Sequence, residues 1–214
     1  MKGKMINITK KNIENMNRFD RANLISSISG IKPAMLVGTV SKKNISNVAI
    51  FSSIIHLGSN PGLIGLLIRP QNKRVSDTYE NIKLVKSFTI NHINEDIIKK
   101  SHYTSAKTNS NTSEFDDVKL TEEYINNFHS PFVKESDIGI GLLFSQEILL
   151  SNNCKLIIGE IDNIKLNKNI ATNEGIIDLT SSNSVGVDGI GTYYNLSKSQ
   201  QHIYVGSKQI PKNT

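Results

Sequence analysis

A single cysteine, Cys154, stands in a chain of 214 residues. No internal disulfide can form, so the core must hold by packing alone, which agrees with a reducing cytoplasm. No apolar run approaches the length needed to cross a bilayer; Leu63 to Ile68 is only a strand-length piece. The segment Met1 to Lys11 is basic and lacks the apolar stretch of a secretory signal, so the expected location is cytoplasmic. Aromatic residues make up 6% of the chain and do not alternate with its lysines. Those lysines are scattered, as in Lys10-Lys11, Lys42-Lys43 and Lys99-Lys100, so the net charge of +6 forms no nucleic-acid-binding stripe. It still favours small anionic ligands. No group of His, Cys, Asp and Glu has metal-ligand spacing, so no metal site is expected. The patterns Gly139-Ile140-Gly141 and Gly186 to Gly191 lack the strand, glycine turn and helix of a dinucleotide fingerprint.

Apolar residues at 37% suffice for one sizeable core at this length, and nothing reads as a linker or a repeat. One domain over 1–214 is expected, with its core at about 20–205. Short runs rich in Val, Ile, Leu and Phe predict strands at 34–41, 47–55, 63–69 and 86–91. A long strand pair is expected at 139–150 and 155–166, turned at Ser151-Asn152-Asn153. Asp77 followed by Glu80 predicts a capping box and a helix over 78–85. Further helices are expected from Asn94 to Ser105 and, capped by Thr121, through Phe128. Lys107 to Asp117 reads as a surface loop. Strands lie before and after the helices without strict alternation. That pattern predicts a mainly β fold with peripheral helices, a barrel rather than a doubly wound sheet.

The most informative block runs from Pro33 to His92. Amide, hydroxyl and guanidinium groups alternate there with strand formers: Asn47-Val48-Ala49-Ile50-Phe51-Ser52-Ser53, then Arg69-Pro70, then Arg74-Val75-Ser76-Asp77-Thr78. Such an arrangement can pin a flat heterocycle at one end and a phosphate at the other, which suits a flavin nucleotide. Taken singly, each of these side chains also fits an ordinary turn, strand-end or surface role; their order carries the signal.

That order resembles the flavin reductase-like family, whose fold is the FMN-binding split β-barrel, a Greek-key six-stranded barrel. The motifs are Asn47-x-Ala49-x-Phe51-Ser52, the turn at Gly58-Ser59-Asn60-Pro61, Arg69-Pro70 and Asp77-Thr78-x-x-Asn81-Ile82. The similarity continues through His102 to Lys107, Ser113 to Asp116 and Pro131 to Ser136. It implies a flavoredoxin-type NAD(P)H:flavin oxidoreductase with FMN as cofactor and hydride passing from NAD(P)H to flavin and on to a further acceptor. The alternative on the same fold is a non-catalytic flavin carrier. By the resemblance, Asn47, Ala49, Phe51, Ser52 and Ser53 wrap the isoalloxazine edge with Thr39 beside them. Arg69, Arg74, Ser76 and Thr78 match or neighbour the phosphate positions. No catalytic side chain is implied. His102 is placed where the second substrate docks, with a polar surface role as its alternative. Relatives are homodimers, so a homodimer is expected. The acid that relatives carry near the C-terminus would fall at Gly191 and is missing there.

Overall fold

The computed structural model describes residues 3, 5–71, 75–106, 112–172 and 175–202. In chain order the elements are α1 (Lys10–Asn15), α2 (Arg18–Ile28), β1 (Lys32–Pro33), β2 (Met35–Val40), β3 (Ser46–Phe51), β4 (Ile54–Ser59) and β5 (Gly62–Ile68). Next come α3 (Asp77–Val85), β6 (Ser87–His92), a 3-10 turn (Glu95–Ile97), α4 (Ile98–Tyr103) and α5 (Glu114–Val118). The chain continues with β7 (Glu122–Glu123), β8 (Phe132–Val133), β9 (Ile138–Leu149) and β10 (Lys155–Leu166). A second 3-10 turn (Lys168–Ile170), β11 (Val185–Val187) and β12 (Tyr193–Asn195) complete it.

The main sheet has seven strands in the order β3-β2-β6-β9-β10-β5-β4, and every neighbouring pair is antiparallel. This order forces closure. In a flat sheet, six spacings of about 4.8 Å would hold β3 and β4 about 29 Å apart. Yet β3 and β4 are joined by Ser52-Ser53 alone, a link that reaches about 11 Å at full stretch. The sheet must therefore curl until its two edges face each other. They do not pair, so the barrel is split along that line. Bulges at Ile158/Gly159 and Ile161/Asn163 add local bend to the long β9–β10 hairpin. The strand expected at 47–55 is thus two strands, and the sheet has one strand more than the expected six.

Alternation along β2 divides the core. Met35 and Val37 point into the barrel with Leu66, Ile68, Phe88, Ile90, Leu142 and Ile157. Ala34 and Leu36 point outward against an outer layer of Ile93, Ile97, Phe115, Val133, Val185 and Val187. With both faces covered, all six residues of β2 are buried. Helix α3 stoppers the barrel: Thr78, Asn81 and Ile82 form its buried face, and Ile82 belongs to the interior core. Gly38 is required where β2 passes the 131 loop, because a Cβ there would lie 2.2 Å from the Pro131 carbonyl oxygen.

The cap of α3 is Ser76, whose Oγ accepts from the Tyr79 N–H, and not Asp77 as expected. The expected helix at 121–128 does not form. The Thr121 N–H and hydroxyl donate to the Glu135 carboxylate, Glu122–Glu123 pair with Phe132–Val133, and Asn126 and Asn127 adopt left-handed φ of 51° and 61°. The helix expected at 94–105 begins as a 3-10 turn and ends at Tyr103. Residues 107–111 of the expected 107–117 loop lie outside the described residues, and its end enters a helix at Glu114–Val118. Helices α1 and α2 carry no buried residue, which left no apolar periodicity to betray them. No helix among the described residues is long and apolar enough to cross a membrane.

Candidate functional site

The polar residues of β2, β3 and α3 fall into two groups. The first is closed. Asn81 Nδ2 donates to Thr39 Oγ1 at 3.1 Å. With the Asn47 amide nitrogen turned to the Glu114 carboxylate (3.1 and 3.2 Å), its oxygen accepts from Thr39, Thr78 and the Val48 N–H, each at 3.2 Å. Thr39, Asn47, Thr78, Asn81 and Glu114 are all at most 8% exposed. Burial demands this satisfaction, because an unpaired polar atom there would lose its water without recompense. The chain of bonds ties α3 and α5 to β2 and β3. A cleft of about 220 Å³ opens beside it, bounded by Ser41, Lys42, Asn47, Asp77, Asn81 and Thr112.

The second group is open and lies along the split. Ser52 and Ser53 link the two sheet edges, and among the described residues neither hydroxyl has a hydrogen-bond partner. The Leu67 N–H donates to the Ser53 carbonyl at 3.0 Å, which sets the link against the end of β5. Two residues further on, Arg69 is exposed and its guanidinium pairs with no described residue. Gln71 folds the next loop back: its Nε2 donates to the Arg69 carbonyl at 2.7 Å and its Oε1 accepts from the Ser76 N–H at 2.6 Å. The arginine is thereby held next to the start of α3. Gln71 was not identified from the sequence, since a lone loop glutamine carries no signal there. Ala49 and Phe51 are half-buried on β3, with Phe51 against the interior core. Strand β3 is an edge, so every second residue turns its N–H and C=O toward the split. Arg74 lies outside the described residues.

Hydroxyls and a guanidinium without partners among the described residues, edge-strand amides and a helix start together suit a ligand with a hydrogen-bonding planar edge and an anionic tail.

His102 sits elsewhere, on α4 in the outer layer. Its Nδ1 and the Tyr193 hydroxyl are 3.0 Å apart, and its ring meets Tyr103 and Tyr193 edge-on. Burial pushes the Tyr193 phenol up. The turn before Tyr193 is held by Asp188, whose Oδ1 accepts from the N–H groups of Ile190, Gly191 and Thr192 at 2.8, 3.0 and 3.0 Å. Burial raises the Asp188 carboxyl, but these hydrogen bonds outweigh it and bring it below the usual range. An acid three residues before Gly191 therefore organises this loop.

An antiparallel sheet curled and left open beside a polar, unpartnered seam defines a split-barrel protein. The chain belongs to the flavin reductase-like family: the model of the flavin reductase like domain matches residues 30–185. The fold agrees. A split-barrel protein from Shewanella frigidimarina, classed as a flavin reductase, is 36% identical, with a TM-score of 0.89 over 94% of this chain and 100% of that one. Nitrilotriacetate monooxygenase component B from Bacillus cereus superposes with a TM-score of 0.83 at 21% identity, over 94% and 100% of the two chains. Flavoredoxin of Desulfovibrio vulgaris does so with 0.72 at 21% identity, over 83% and 93%. No curated protein matches by sequence. Family membership makes this a flavin-linked oxidoreductase.

Proposed function

We infer that the chain is an FMN-dependent reductase that takes hydride from NAD(P)H and passes electrons to a second acceptor. The observation that carries this reading is the set of groups at the split without a partner among the described residues, Ser52, Ser53 and Arg69, beside the free edge of β3. Bound flavin supplies the hydride-accepting chemistry, so no side chain need act as acid or base. The protein's part is placement. The hydroxyls of Ser52 and Ser53 and the outward amides of β3 hold the polar edge of the heterocycle. Ala49, being small, leaves room beside the strand. Arg69 and the first turn of α3 receive the phosphate, with Gln71 fixing their separation. In this reading Thr39, Asn47 and Thr78 support the platform from behind rather than touch the ligand, because their side chains are already bonded. By the family resemblance alone His102 serves the second substrate; in this chain it stands in the outer layer, steadied by Tyr193 and apart from the seam.

The reading includes a cytoplasmic homodimer. Ile55, Leu57, Ile148 and Leu149 on the strands at and near the β4 edge are exposed, as is Leu150 just past β9, and a second copy covering them would remove that apolar surface from water. Light scattering on the purified protein tests it; a monomer at micromolar concentration would overturn it.

The test of the activity is the absorbance spectrum with FMN, followed anaerobically by NADH and NADPH. Flavin absorbance that bleaches with either donor is expected. Bound flavin that bleaches with neither would make the protein a carrier, and no binding at high FMN would overturn the flavin site.

A further inference from the structure

The C-terminal half of α3 meets the β9–β10 hairpin in a cluster that the flavin reading leaves unused. Lys83 Nζ lies 3.1 Å from Glu147, and Lys155 Nζ lies 3.7 Å from the same carboxylate. The Tyr79 hydroxyl also donates to Glu147 at 3.0 Å, and Lys155 donates to that hydroxyl at 2.5 Å. Lys83 and Lys86 both stand over the Phe144 ring, at 4.7 and 4.4 Å from its centroid. Their ammonium groups are thus at most about 9 Å apart. Lys86 is the left-handed cap of α3, and its carbonyl accepts from the Phe144 N–H at 2.9 Å, which fixes ring and helix end together. The Lys86 ammonium meets no carboxylate among the described residues.

The charges do not cancel. Three ammonium groups share one carboxylate, and the C-terminus of a helix offers only about half an elementary charge more. Lys155 stands over the Tyr79 ring, 4.1 Å from its centroid, so at the Phe144 ring Lys83 and Lys86 outweigh the Glu147 carboxylate by about one charge. A structural tie between helix and hairpin needs Lys155, Tyr79 and Glu147; it does not need Lys86. The cluster is also continuous with the split, because Lys155 pairs with Ile68, the residue before Arg69. From Tyr79 to Lys86 the helix advances about 10 Å, so cations run from the flavin end of α3 to its far end.

We propose that Lys83 and Lys86, flanking Phe144, bind the 2′-phosphate of NADPH and make it the preferred donor. This rests on the reading of the chain as a nicotinamide-dependent flavin reductase. A phosphomonoester offers a dianion to two ammonium groups, whereas NADH has only a hydroxyl at that position. Binding at an exposed site of this kind must weaken with salt.

The first test needs neither flavin nor turnover: calorimetric titration with 2′,5′-ADP, 5′-AMP and inorganic phosphate, on the native protein and on K86Q and K83Q/K86Q. We expect 2′,5′-ADP to bind at least 10-fold tighter than 5′-AMP or inorganic phosphate. K86Q should lose about fivefold and the double variant more, with the loss shrinking in high salt. Equal binding of 2′,5′-ADP and 5′-AMP overturns the assignment, as does binding unchanged in the double variant. Inorganic phosphate binding as tightly as 2′,5′-ADP would make this a free-phosphate site and overturn the donor reading. With FMN present, the KM for NADPH should rise in K86Q while that for NADH and the Kd for FMN stay constant. Absence of FMN binding, by contrast, would count against the proposed function and not against this surface.

Discussion

At one end of β3 the Asn47 amide is bonded on both sides within the chain; at the other, Ser52 and Ser53 carry hydroxyls with no partner among the described residues. The two ends have similar polar content and opposite surroundings. Under α3 water is excluded, so each donor must meet an acceptor, and Thr39, Asn47, Thr78, Asn81 and Glu114 do so through one another. At the split water reaches the chain, and unpaired groups there cost nothing until a ligand replaces the water. A motif that runs along one strand thus holds two kinds of residue: those sealed in an interior network and those left open to water.

The contrast breaks most sharply at the closed end. Asn47→Ala would leave the buried Glu114 carboxylate and two threonine hydroxyls without their shared partner. We expect a loss of about 3 kcal/mol, seen as a melting temperature lower by about 6–12 °C in the flavin-free protein. A variant as stable as the native chain would show that the network is not structural.

A second closed site responds to pH. Burial lowers His92 from 6.5 to about 4, and its Nδ1 lies 3.2 Å from Ser184 Oγ. The unfolded chain takes up this proton near pH 6.5 and the folded chain only near 4, so the contribution is complete above about 6.5 and lost as pH falls toward 4. About 3 kcal/mol is at stake. Urea unfolding at pH 7 and at pH 4.5 should show it, and His92→Gln should flatten that part of the profile.

The open end should behave in the reverse way. Arg69→Ala is expected to weaken FMN binding by about 10- to 100-fold in a fluorescence titration. Its melting temperature without flavin should stay within about 2 °C of the native value. A change in stability without a change in affinity would exchange the roles of the two ends. The smallest effect belongs to Ser52→Ala and Ser53→Ala, each about fivefold in FMN affinity and neutral for stability.

Much of the barrel is legible in the chain. β2, β5, β6 and the β9–β10 hairpin announce themselves by short runs rich in Val, Ile, Leu and Phe and by the turn at Ser151-Asn152-Asn153. The misreadings have local causes. Thr121 resembles a helix cap, but its donors go to Glu135, fourteen residues on. Asp77 and Ser76 are both capable caps, and geometry selects Ser76. The run 47–55 looks like one strand because nothing in Ser52-Ser53 says that the next residues will pair with β5 instead of β2. At the site, the order of Asn47, Ser52, Arg69 and Thr78 is visible, whereas the division among them is not. Gln71, Lys83, Lys86 and Asp188 have no motif to mark them, and Glu114 lies in the Ser113 to Asp116 motif without a role to single it out.

The sequence by itself determined the long strands β2, β3, β5, β6, β9 and β10, the start of α3 to within a residue, and the order of polar groups that marks the family, because these depend on neighbours a few positions apart. Only the tertiary structure decided which polar groups are sealed and which are free. Curling the sheet brings β3 opposite β4, sets α3 over Asn47 and leaves Ser52, Ser53 and Arg69 at the seam. Access to water is a property of that closure, and it separates residues that support the site from residues that can hold a ligand.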